Sequence, residues 1–153
     1  MKFIHYGHRR FDKRRFMPIH NEEGRNKPRG GLWASPVDSD YGWKSWCEDA
    51  AFRECDEQNS FTFALKPEAN IYYIRSVEAA NSLPRAENRY GIEDLMLETP
   101  FSMIMGVDFE SMVKDGIDAI IYEQSACPQL YWKLYGWDCD SILVMNPEVV
   151  IPE

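Results

Sequence analysis

Three stretches of this chain hold the residues best suited to chemistry. Lys2-Phe3-Ile4-His5-Tyr6-Gly7 is an apolar, strand-like run with a histidine near its end. Gly30-Gly31-Leu32-Trp33-Ala34-Ser35-Pro36 sets a tryptophan among small residues. Between them lies a cationic segment: His8-Arg9-Arg10, Lys13-Arg14-Arg15, Arg25, Lys27 and Arg29. Towards the other end, Asp138 and Asp140 flank Cys139, just ahead of the apolar run Ser141–Asn146. A histidine on a rigid strand can fix a hydroxyl by hydrogen bonding, and an aromatic face can hold a flat ring. Arginines suit a pyrophosphate or another polyanion. His5, His8 and His20, with these cations and the two aspartates, are also an inventory for acid–base cleavage of RNA. Taken singly, His5, Trp33 and the Trp43/Trp46 pair read equally as packing residues.

The chain has 153 residues, enough for one domain with a real core. Its net charge of −8 is unevenly spread. Residues 1–30 carry nine Lys/Arg against three Asp/Glu, and the rest carry eight against 22. That acidic remainder argues against a broad nucleic-acid-binding surface. No apolar run approaches the ~20 residues of a membrane span, and no apolar leader opens the chain, so a cytoplasmic location without membrane attachment is expected. Cys47, Cys55, Cys127 and Cys139 form no C-x-x-C pair and read as reduced thiols. P-loop, G-x-G-x-x-G and G-x-S-x-G motifs are all absent, as is a Cys–His nucleophile signature.

The elements that must position these residues follow from periodicity. Strands are expected at 2–7, 32–35, 60–65, 71–74, 118–123 and 141–146. A short helix is expected near Phe11–Phe16 in the loop 8–29. A longer one runs from caps at Asp38, Ser39 and Asp40 through Trp43, Trp46, Cys47, Ala50 and Ala51 to Glu54. Ser76 and Asp108 cap two more, the second stopped by Gly116. The apolar runs Leu95–Leu97 and Phe101–Met105 are divided by Pro100. Strands at both ends and in the middle, with a few short helices, predict an α+β fold in a single domain spanning 1–153. Tyr131, Trp132, Tyr135 and Trp137 form an aromatic segment; if exposed, it would be a protein-docking surface.

The strand with His5 and Gly7, followed by the Gly-aromatic-small strand at Trp33, resembles the ADP-ribosyltransferases of the His-Tyr-Glu type. Helix, Gly116, strand Asp118–Glu123 and the run Ile142-Leu143-Val144-Met145-Asn146-Pro147 are similar to the tail of bacterial and phage members. The resemblance lies in the two ends of the chain and leaves the middle unmatched. It implies a split antiparallel or mixed sheet with two to four short helices, and NAD as co-substrate. His5 would then hold a ribose, Tyr6 or Gly7 would offer a backbone contact, and Trp33 would stack on nicotinamide. Trp43, or Tyr41, would add a second aromatic wall. Arg29, or a base within Arg9–Arg15, would meet the pyrophosphate, and Ser35 would position the site. The family's glutamate aligns with Ser141, so Asp140, brought in by a one-residue bulge, is the expected catalytic carboxylate. The implied activity is ADP-ribosyl transfer to a macromolecule, a protein rather than a nucleic acid, or hydrolysis of NAD. Small stand-alone relatives of this kind look like toxins or effectors. A non-catalytic interaction module and a small nuclease stay open as other readings.

Overall fold

Strands form where apolar residues alternate or run together, and here they join the two ends of the chain in one sheet. The computed structural model describes residues 1–86 and 103–153, so the apolar run Leu95–Leu97 lies outside the described residues. The strands are β1 (Lys2–Tyr6), β2 (Leu32–Pro36), β3 (Ser60–Leu65), β4 (Ile71–Ile74), β5 (Ala119–Tyr122), β6 (Ser141–Val144) and β7 (Val150–Pro152). They form one seven-stranded sheet in the order β4-β5-β6-β2-β1-β3-β7. Among the described residues, only the β4–β5 pair is parallel. With four short helices among the described residues, α1 (Trp43–Asp49), α2 (Val77–Asn81), α3 (Phe109–Lys114) and α4 (Leu130–Lys133), the class is α+β with a mixed sheet. β7 was not anticipated, because it is only three residues long and ends in Pro152. A proline is tolerated there because the strand lies at the sheet edge.

The central strands β5 and β6 are buried along their whole length, and their residues divide by period two. Ile120, Tyr122 and Leu143 join a cluster with Phe109 and Met112 of α3, Leu130 of α4 and Trp137. Ala119, Ile121, Ile142 and Val144 join the other cluster, with Phe3, Phe61 and Phe63. Phe11 and Phe16 of the basic loop pack against that second cluster.

The helix α1 is shorter than its apolar stripe suggests. Its N-cap is Gly42, without a side-chain bond, and Ala51 turns into the left-handed region at φ 48°. The amides of Ala51 and Phe52 then close on the carbonyls of Glu48 and Cys47, as a helix C-terminus requires. Phe52 folds back on Trp43 and Trp46, which stack with centroids 5.0 Å apart. In the 124–137 segment, Trp132 and Tyr135 are exposed but Trp137 is buried.

Gly30-Gly31 is explained by close packing. Both residues have positive φ, at 85° and 74°, and the Gly31 amide donates to Met17 O at 2.8 Å. A Cβ on Gly30 would stand 2.2 Å from Pro18 O. The pair therefore seats the loop against the start of β2. Gly24 shares a positive φ of 66° with nothing within 4 Å of its Cβ position. Gly24→Ala should lose only the ~1–2 kcal/mol of the left-handed conformation, whereas Gly30→Ala should lose distinctly more; urea unfolding of the two variants measures the difference.

Candidate functional site

β2 changes neighbours midway along its length. Leu32, Trp33 and Ala34 pair with β6, whereas Ser35 and Pro36 pair with β1. β1 is paired with β3 along all five residues, yet only Phe3 and Ile4 pair with β2. From His5 onward the two strands part. A pocket of about 260 Å³ opens there, lined by His5, Tyr6, Trp33, Ser35, Trp43 and Ser141 among others. That is near the lower end of small-molecule sites, room for part of a dinucleotide.

The His5 ring replaces the missing backbone ladder: its Nδ1 lies 2.7 Å from Trp33 O. A carbonyl only accepts, so Nδ1 carries the proton. Burial, above all, pulls the His5 pKa below its ordinary 6.5, so the ring is neutral and Nε2 is an acceptor. His8 Nδ1, 3.2 Å away, is the donor to it, and the two rings stack at 5.4 Å. A ligand hydroxyl can take the place of His8.

Trp33 meets the buried Trp137 edge-on at 5.0 Å. Trp137 is held by its Nε1–H, which donates to Asn26 O at 2.8 Å. Ser35 acts through Trp43: its Oγ accepts the Trp43 amide at 2.8 Å, fixing the start of α1. Two cations line the same pocket, Lys27 and Arg53. Lys27 Nζ lies 5.4 Å from the Trp33 ring centre and the Arg53 guanidinium 5.6 Å from that of Trp43. Burial lowers the Lys27 pKa, with Asp138 opposing. Cys139 also lines the wall, and burial pushes its thiol up to about 12, so it is an inert neutral group there. Ser141, 5% exposed, is among the lining residues, and its Oγ, itself buried, has no hydrogen-bond partner among the described residues.

Three expected residues stand elsewhere. Asp140 is not in the pocket wall. Its carboxylate accepts from the Ser125 amide at 2.9 Å, Ser125 Oγ at 2.6 Å and Ser39 Oγ at 2.9 Å. No bulge brings it forward; Ser141 faces the pocket instead, and Asp140 ties two loops together. Arg29 pairs with Glu22 at 3.5 Å and bridges to His20 through its backbone; the cation that reaches the pocket from this loop is Lys27. Gly7, at φ 123°, donates its amide to Asn59 O at 2.8 Å and lines the neighbouring basic groove. Of the pocket residues, Arg53 was not a candidate from sequence, Lys27 was only one member of the cationic segment, and Trp137 and Cys139 stood only in the aromatic segment and among the thiols. A loop cation beside a glycine pair was visible, but nothing in the pattern said which one turns inward. His20 lies 4.0 Å from Glu110, and among the described residues no three His, Cys, Asp or Glu side chains gather as a metal site. No helix among the described residues is long and apolar enough to cross a membrane.

Compared with protein families, curated proteins and solved structures, the chain matches none.

Two outcomes test this geometry. Asp140→Ala strands three donors and should lower unfolding stability by about 1–3 kcal/mol, with Asp140→Asn intermediate, as measured by denaturant titration. The neutral His5 gives a sign for pH. Above 6.5 the imidazole is neutral in folded and unfolded chains alike and contributes nothing. As pH falls below 6.5 the unfolded chain takes up the proton first, and stability drops until the folded ring also titrates. NMR titration should place His5 below 6.5, and His5→Asn should flatten that part of the acid slope.

Proposed function

We propose that the pocket binds NAD and that the domain breaks its nicotinamide–ribose bond, passing ADP-ribose to an acceptor or to water. The observation that carries this reading is convergence. His5 from β1, Trp33 and Ser35 from β2 and Trp43 from α1 come from separate segments and meet at one pocket. Each offers what the ligand needs. His5 Nε2 accepts from a ribose hydroxyl. The tryptophans offer faces to a flat ring. Lys27 and Arg53 supply positive charge for a diphosphate. The pocket takes the nicotinamide-riboside end.

In the reaction, the bond from ribose C1′ to the nicotinamide nitrogen breaks and its electron pair leaves with nicotinamide. A lone pair of the acceptor forms the new bond to C1′, and the acceptor's proton is released. The protein's task is to hold the ring and the ribose apart in the right geometry and to tolerate positive charge at C1′. Ser141 Oγ, buried and without a partner among the described residues, carries no charge to offer the sugar.

That last point favours a second reading: a domain that binds NAD without splitting it. No Asp or Glu lines the pocket among the described residues, and a hydroxyl stabilises an oxocarbenium-like sugar far less than a carboxylate does. One experiment separates the two. NAD binding is followed by calorimetry and nicotinamide release by chromatography, in wild type, His5→Ala and Trp33→Ala. Each substitution should weaken binding about tenfold, the worth of one hydrogen bond or one ring contact. Release of nicotinamide that disappears in both variants supports the transferase or hydrolase. Binding without release supports the second reading. Wild-type affinity in both variants, or no binding in wild type, sinks both.

A further inference from the structure

The basic loop makes a second feature beside the pocket. Arg9, Arg10, Arg14 and Arg15, with His8, line an open groove of about 760 Å³. Its one carboxylate among the described residues, Asp12, is engaged by Arg14 through two bonds of 3.1 and 3.0 Å. Arg9, Arg10 and Arg15 are exposed and make no ion pair among the described residues. Other cations of the loop behave differently: Lys13 pairs with Glu148, Arg25 and Arg29 with Glu22. Three uncompensated guanidiniums side by side in a chain of net charge −8 repel one another unless an anion joins them. The groove's cations are arginines rather than lysines, and the guanidinium fork is the group that matches a phosphate bidentately.

Between this groove and the pocket lies a smaller hollow. It shares His8, Arg10, Asp12 and Arg15 with the groove and His5 with the pocket, and its walls include Phe11, Phe16 and Phe61. His5 and His8 stack, and His5 and Phe11 both pack against Phe61, at 5.1 and 6.1 Å. Arginines and aromatic side chains therefore line one connected path that ends at the pocket mouth.

We propose that this path binds single-stranded nucleic acid, its phosphates on Arg9, Arg10 and Arg15 and its unpaired bases over His8, Phe11 and Phe16. Given the ADP-ribosyl transfer reading, on which this part rests, the bound strand is the acceptor. An acidic peptide would satisfy the arginines but leaves the aromatic strip without flat partners. A duplex hides its bases, whereas a single strand offers phosphate and ring in alternation. The acidic charge outside residues 1–30 repels a polyanion from the rest of the surface and confines it to this face.

The test needs no NAD at first. Binding of labelled single-stranded RNA and single-stranded DNA of about 12 nucleotides is measured by fluorescence anisotropy over a salt series, against the same sequence as duplex and against poly-glutamate. The comparison variant is Arg9→Gln/Arg10→Gln/Arg15→Gln, whose substitutions are all on exposed side chains; a thermal melt checks its fold. Wild type should prefer a single strand to both competitors, and RNA against DNA identifies the sugar. The triple variant should bind at least about tenfold more weakly, with its log–log salt slope shallower by about two. Unchanged affinity in the variant, or equal binding of duplex or poly-glutamate, overturns the site. Label from NAD is then followed. Label on the oligonucleotide supports the acceptor assignment; nicotinamide release with label on protein or water alone overturns it. If no nicotinamide is released, the transferase reading has failed and the binding arm alone decides the groove.

Discussion

Everything at the site depends on β2 having to serve two neighbours. A strand has two edges, and in a continuous ladder both are paired along its length. Here β2 gives its first half to β6 and its second half to β1, so β1 is left unpaired on one side at His5 and Tyr6. A polar backbone group exposed by such a parting needs another partner. The His5 imidazole supplies one to Trp33 O. That single bond does three things. It closes the gap enough to keep the sheet whole, it sets the tautomer of the ring, and it leaves Nε2 as an acceptor aimed away from the sheet. The Gly30-Gly31 pair serves the same geometry from the other side, since only residues without Cβ let the loop lie against Leu143 and Val144 as β2 begins.

The strands were legible because their apolar patterns are local, and the six expected ones fall where the sheet has them. The overlong α1 shows the limit of periodicity. Ala50 and Ala51 continue the i, i+3, i+4 series, yet the helix stops because Ala51 turns left-handed and Phe52 packs back on the two tryptophans. His5, Trp33, Ser35 and Trp43 could be named in advance because each sits on or beside a readable element. Lys27 was one cation among several in the basic segment and Arg53 was no candidate at all, since both come from loops, where charge pattern does not tell which side chain turns inward. The same blindness affected the end of the chain. Gly136 and Asp138 take positive φ, at 95° and 60°, and between them Trp137 is carried into the core. The Asp138-Cys139-Asp140 run did not tell which side chains that turn carries toward the pocket. It is why Asp140 lies among hydroxyls and Ser141 faces the pocket.

The pocket's charge distribution narrows what can occupy it. Lys27 and Arg53 rest over the faces of Trp33 and Trp43, where a cationic ring would otherwise stack, and no carboxylate lines the pocket among the described residues to offset them. Such contacts are worth only about 0.5–1 kcal/mol each when exposed. An anion of the ligand, drawing two strong charge-assisted bonds, outweighs them. A ligand with a flat ring and a diphosphate can therefore do what neither part does alone. Its phosphates draw the two cations off the tryptophans, and the faces so released accept its ring. A free ring meets both faces already covered, and a free phosphate gains no stacking. Under the NAD reading, this selects the whole dinucleotide over nicotinamide, which is the direction a site must favour if the ring is to leave once its bond to the sugar is gone.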